Sequence, residues 1–243
     1  MTIDQIISLA TSIAAFIAAA AAFLVVLQVS KQRADSYKPA LVVARTRFIC
    51  SQPDDGVIPH TWSNPDSIDN GAVQAHAAFS LPLVNVGLGA AIDVKVSWAF
   101  PIDEVVRLVN ELAQKSLIAV YFDWNNEILS INADKPGRTV HNWASQKESN
   151  FDFVLPASID QNANSVTIPM GCVHLVSALV YVTSKLEKFE SFPKIPSLLL
   201  KIAYSDIAGT KYSTQLSISI EVVAMHSGDG FKCHGIIESS RTD

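Results

Sequence analysis

From Gln5 to Ser30 the chain runs for 26 residues without a charge, and Ile6, Ile7, Leu9, Ile13, Phe16, Ile17, Phe23, Leu24, Val25, Val26 and Leu27 stand among many alanines. No other feature constrains the fold so strongly. As an α-helix this stretch is roughly 35 to 40 Å long, enough to cross a hydrocarbon core of about 30 Å with some tilt. The expected organisation is a short leader over residues 1–5, a transmembrane helix over 6–29, a juxtamembrane linker over 30–39, a folded domain over 40–226 and a polar tail over 227–243.

A cleavable signal peptide wants positive charge ahead of a shorter apolar core. Here Asp4 is the only charged side chain before the stretch, whereas Lys31, Arg33 and Lys38 follow it. The positive-inside rule then puts the N-terminus outside and the large domain in the cytoplasm. Ala10, Ala14, Ala18 and Ala22 recur every four residues beside Ser8 and Ser12, giving the helix one nearly flat face. Small residues at that spacing let two helix backbones approach closely, so self-association is expected; alanine as a plain helix former is the alternative.

A formal net charge of -5 and a pI near 5.6 argue against a nucleic-acid-binding face. Cys50, Cys172 and Cys233 are scattered and odd in number, which suits reduced thiols in a reducing compartment; one disulfide and one free thiol is the other possibility.

After the linker, Tyr37 before Lys38-Pro39 favours extended backbone and ends the helix. Ala40 to Cys50 reads as a first strand, and Ser51 to Gly71 as a long surface loop. From Ile92 to Phe100 apolar and polar residues alternate strictly, as they do in an antiparallel strand with one face on a core. Pro101 to Gln114 has helical spacing. Leu117 to Trp124 and Glu127 to Ala133 flank Asn125-Asn126 as a hairpin, Asp134 to Gly137 closes that unit, and Phe151 to Leu155 is a further strand. Cys172 to Phe189 fits a helix better than a strand because of its length. Ser197 to Ser205 and Tyr212 to Ala224 form a hairpin about Asp206 to Gly209, and the tail after Ser227 reads as loosely ordered.

Asn85, Gly87, Ala90 or Ala91, and Val94 resemble the Asn-x-Gly-x-x-Ala-x-x-Val signature of immunoglobulin-like bacterial β-sandwich modules. The resemblance covers about twenty residues and implies a fold, not an activity. The expected fold class is therefore mainly β, an immunoglobulin-like β-sandwich with one or two inserted helices, preceded by a single transmembrane helix. A helix anchor ahead of a small cytosolic domain is also similar in plan to membrane effectors of bacterial antiphage defence systems, such as those accompanying retrons. That resemblance implies a bacterial inner-membrane location and a partner that releases or clusters the anchors so that they perturb the bilayer.

Neither an esterase elbow, a phosphate loop nor a zinc-protease motif is present, and Gly87-x-Gly89 leads into a strand where a dinucleotide site needs a helix. Cys172-x-His174 with Cys233-His234 lacks the paired-cysteine spacing of structural zinc, so a buried Cys172 and an exposed Cys233 are expected and no metal or cofactor is assigned. Asp54, Asp55, Asp66 and Asp69 lack the ordered spacing of a calcium loop. Trp62, flanked by turn residues, is a candidate partner contact, with packing onto the domain as the alternative. The six histidines are too dispersed to select among. An accessory or effector protein that binds or senses a protein partner from the cytoplasmic side is the expected function, without enzymatic activity; a periplasmic or surface sandwich that binds an envelope ligand is the alternative.

Overall fold

The computed structural model describes residues 3–52, 57–65, 78–133, 137–160, 164–187, 190–226 and 230–242. The first element, α1 (Ile3–Ser36), is one continuous helix with Asp4 in its first turn and Arg33 in its last, charges that suit the helix dipole. Its most apolar span is Thr11–Arg33, none of which is buried by the rest of the chain. This overlaps the expected span over 6–29, and the expected linker is helical up to Ser36.

The remainder is mainly β with packed sheets, as expected. Ala40 to Cys50 is two strands, β1 (Leu41–Val43) and β2 (Thr46–Ser51), because the chain changes sheet between them. Next come β3 (Thr61–Ser63), β4 (Ser80–Asn85) and β5 (Ala91–Ala99). The helix α2 (Ile102–Lys115) is followed by β6 (Val120–Asn125), β7 (Ile128–Ala133) and β8 (Arg138–Asn142). The chain continues through a single turn α3 (Trp143–Gln146), β9 (Glu148–Val154), β10 (Asn164–Thr167) and α4 (Met170–Leu186). It closes with β11 (Leu198–Ser205), β12 (Lys211–His226) and β13 (Lys232–Arg241).

Seven of these strands form one sheet in the order β3-β2-β13-β12-β11-β5-β9, and every pairing in it is antiparallel. Three more form the sheet β1-β4-β10, and β6-β7-β8 form a third. The β6–β7 hairpin turns at Asn126 and Glu127, both with positive φ, one residue later than expected. In β5 the strict alternation breaks at Asp93, whose φ is 51°, where the register with β11 also shifts. The acidic residues Asp54, Asp55, Asp66 and Asp69, and the turn residues Asp134 to Pro136, lie outside the described residues.

The expected polar tail is instead a strand inside the large sheet, with β2 on one side and β12 on the other. Its buried face is Cys233, Gly235 and Ile237. A side chain at Gly235 would overlap the Phe48 ring and the Glu221 carbonyl, so only glycine lets β13 run beside β2 and β12 here.

α4 is apolar all round because it is a core helix, with buried residues running from Gly171 to Ser184. One side meets the large sheet, where Tyr181 packs edge-on against Phe231 at 5.1 Å. The other meets β7, with Gly171 close under Leu129.

The registers sort the connections into two poles. β1 begins opposite the end of β4 (Leu41 with Asn85), β5 begins opposite the end of β9 (Ala91 with Val154), and β11 ends opposite Ile92. The α1 exit and the connections 86–90, 155–160 and 206–210 therefore share one pole. The β12–β13 connection and the start of β4 lie at the other.

Candidate functional site

The resembling motif, Asn85 to Val94, turns out to be the joint between the helix and the domain. Asn85 is buried and uses its whole amide: Oδ1 accepts from the N–H groups of Ala40 and Gly87, both at 3.0 Å. Nδ2 donates to the carbonyls of Gly89 at 2.7 Å and Val154 at 3.1 Å. One side chain thus ties together the chain leaving α1, the turn after β4 and the end of β9. β4 and β5 belong to different sheets, so the turn is a crossing between sheets and not a hairpin.

The glycines of the motif are required by contact with that exit. A Cβ at Gly87 would overlap the Lys38 carbonyl and the Ala40 nitrogen, and one at Gly89 would overlap the Tyr37 carbonyl. The exit is held from the other side as well. Tyr204 donates its hydroxyl to the Pro39 carbonyl at 3.3 Å, and the Lys38 ammonium lies 4.9 Å from the Tyr212 ring centroid. Tyr212 in turn donates to Asp206 at 2.9 Å, which raises the tyrosine's own pKa.

A second constellation sits against α4. His60, His141 and His174 come from the loop before β3, from β8 and from α4. The ring centroids of His60 and His174 are 5.0 Å apart, and those of His141 and His174 are 4.6 Å apart. Nδ1 of His174 meets the Met170 carbonyl at 3.0 Å, and Nε2 of His141 is a buried atom with no hydrogen-bond partner. Burial pushes His174 down to about 3, helped by the two neighbouring imidazoles. His141 is lowered by burial and then by His60. Burial thus favours the neutral forms of His174 and His141, and protonating both would set like charges within about 5 Å in a partly dry site. Among the described residues no group of three His, Cys, Asp or Glu side chains is arranged to hold a metal.

Of the two readings of Trp62, partner contact or packing onto the domain, the structure shows the packing: it is buried. Its ring stacks on Phe48 at 4.4 Å, and its indole N–H donates to Ser177 Oγ on α4 at 2.7 Å. Cys233, expected to be exposed, is corrected: it is buried directly opposite Cys50, and all three thiols are free and buried. Cys172-His174 and Cys233-His234 do not converge, because His234 packs with His226 on the other face of β13. Ala14, Ala18 and Ala22 lie exposed on α1, and Ala10 lies on the same helix. The Thr11 and Ser12 hydroxyls are satisfied by the Ile7 and Ser8 carbonyls of their own helix.

An open groove of about 690 Å³ lies between α2 and the β6–β7 hairpin, lined in part by Glu111, Tyr121 and Asn132. Its one carboxylate is already paired, Glu111 with Lys115 at 2.6 Å. Comparison with family models, with curated proteins and with solved structures finds no match to this chain.

Sequence reasoning picked out Asn85 and Gly87 as part of a fold signature but not as the helix joint. It missed the histidine cluster altogether, because its members are brought together only by the packing of β8 and the β3 loop on α4.

Proposed function

We propose that this chain is a single-pass membrane protein whose β domain serves as a binding or sensing module at the cytoplasmic face of a bacterial inner membrane. The observation that carries this reading is the joint: an apolar helix with no cover from its own chain enters the domain through a segment fixed by Asn85, Gly87, Gly89 and Tyr204. A loose tether would need none of these contacts. A fixed joint supports a domain whose state is felt by the helix, or the reverse.

In this reading Lys31, Arg33 and Lys38 hold the domain side in the cytoplasm. The small-residue face of Ala10, Ala14, Ala18 and Ala22 offers a contact between anchors, by which a protein partner could cluster them into a membrane-perturbing antiviral effector. The test of topology is a pair of C-terminal reporter fusions, one active only in the cytoplasm and one only in the periplasm. Activity of the cytoplasmic reporter in the membrane fraction is the expected result. Activity of the periplasmic one would replace this reading with an envelope-facing binding domain.

A further inference from the structure

We propose that the pole of the β domain around the helix exit is itself a lipid-contacting surface, dipping the turns 86–89, 156–160 and 206–209 into the headgroup layer of the bilayer that α1 crosses. This rests on the reading of α1 as a membrane span.

Each of these turns carries a mostly exposed apolar side chain. Val86 and Leu88 are 61% and 56% exposed, Ile159 is 71% exposed and Ile207 is 77% exposed. Turns normally place polar residues at such tips, because an apolar side chain there is left in water. Tyr37, at the exit itself, is 64% exposed, and tyrosine is enriched where membranes meet water.

Their common location follows from hydrogen bonds and register, not from inspection of a surface. Val86 N–H donates to the Ala40 carbonyl at 2.9 Å, directly after the exit. Ala157 N–H donates to the Asn85 carbonyl at 2.9 Å, and Ile159 N–H to Pro156 at 2.9 Å, so the 156–160 turn is stitched to the same point. The 206–210 turn is reached through Lys38, Tyr212 and Asp206. All three turns therefore surround the place where a membrane-spanning helix would leave the bilayer.

The distance is right for contact. From Ser30, the last residue of the uncharged stretch, to Tyr37 is seven residues, about 10 Å of helix. The headgroup layer on each side is roughly 5 to 7 Å thick. Side chains hanging from turns at the level of Tyr37 thus reach that layer, while Lys31 and Arg33, both exposed, lie within it. The occupant is argued from this continuity: the bilayer that holds α1 is the surface nearest to turns bonded to the residues directly after that helix.

The experiment uses the full chain in lipid nanodiscs, with single cysteines introduced by Leu88→Cys, Ile159→Cys, Ile207→Cys, Lys232→Cys and Phe23→Cys and labelled with an environment-sensitive dye. The three native thiols are buried, so labelling is confined to the introduced site. Lys232 marks the far pole and Phe23 the span. Expected are blue-shifted emission and quenching by lipids carrying a nitroxide near the headgroup at positions 88, 159 and 207, quenching by lipids carrying a nitroxide in the acyl chain at position 23, and aqueous iodide reaching position 232 several-fold faster. The proposal is overturned if positions 88, 159 and 207 are quenched by iodide as readily as 232 while position 23 is still quenched by lipid. Failure of lipid quenching at position 23 would overturn the membrane-span reading and this inference with it.

Discussion

Replacing Asn85 by alanine tests the joint directly. The substitution removes the acceptor of two backbone N–H groups, Ala40 and Gly87, and the donor to two carbonyls, Gly89 and Val154. Leaving a buried polar group unpaired costs about 1 to 3 kcal/mol. The two N–H sites are part-buried and fall at the low end, and a carbonyl left bare loses less than a donor, so the sum is about 3 kcal/mol. Against a domain stability of about 5 to 15 kcal/mol this is a large fraction. Urea unfolding of the full chain in nanodiscs, followed by tryptophan fluorescence, measures the total. Hydrogen exchange over residues 37 to 42 and 86 to 91 measures where it is lost, and those amides should exchange faster than the α4 amides do. Asn85→Asp sharpens the test. Its carboxylate would face the Gly89 and Val154 carbonyls, raising its pKa in the folded state, so the variant's deficit relative to the parent at the same pH should be largest at neutral pH and shrink as pH falls toward 4. An Asn85→Ala protein within 1 kcal/mol of the parent, with unchanged exchange at residues 37 to 42, would refute the view that this amide holds the helix exit to the domain.

Acid sensitivity follows from His174. Its folded pKa of about 3 lies below the unfolded value of 6.5, so the unfolded state binds the extra proton between those limits and stability falls as pH drops through that window. From pH 7 to pH 5 the loss is about 2 kcal/mol, and His174→Leu should flatten the pH dependence of urea midpoints by that amount; parallel pH profiles for the two proteins would contradict it. The thiols give a separate check. All three are buried, with Cys172 raised by that burial and Cys233 raised by its hydrogen bond with Cys50 and then by burial; being out of reach, none should react with a thiol reagent at pH 8 in the folded chain and all three should react in urea. Fast labelling of Cys50 or Cys233 in the native protein would show that β2 and β13 do not pair as described.

Long periodic segments were legible from sequence because their pattern is imposed by burial. α2 carries Val105, Val106 and Val109 inward at helical spacing, and β5 carries Val94, Val96 and Trp98 inward at strand spacing. β13 was illegible for the same reason in reverse. Its inward positions include a glycine and a cysteine, chosen to fit under Phe48 and beside Cys50, so the strand has almost no hydropathy signal. β10 is only Asn164–Thr167, too short to carry a period. Trp62 looked available because its neighbours are turn residues, but the pocket made by Phe48, Phe79 and Ser177 is assembled from three distant segments. The histidine cluster has the same origin.

The place of β13 between β2 and β12 also sets an order of events during synthesis. Cys50 cannot find its cross-strand neighbour Cys233 until the long stretch of chain between β2 and β13 has been made. At about 5 to 20 residues per second, β2 waits on the order of ten to forty seconds for its partner strand. α1, made first, has ample time to enter a bilayer before then. On the membrane-span reading proposed above, the large sheet closes on a chain already tethered, with its early strands needing protection from other edges until β13 arrives.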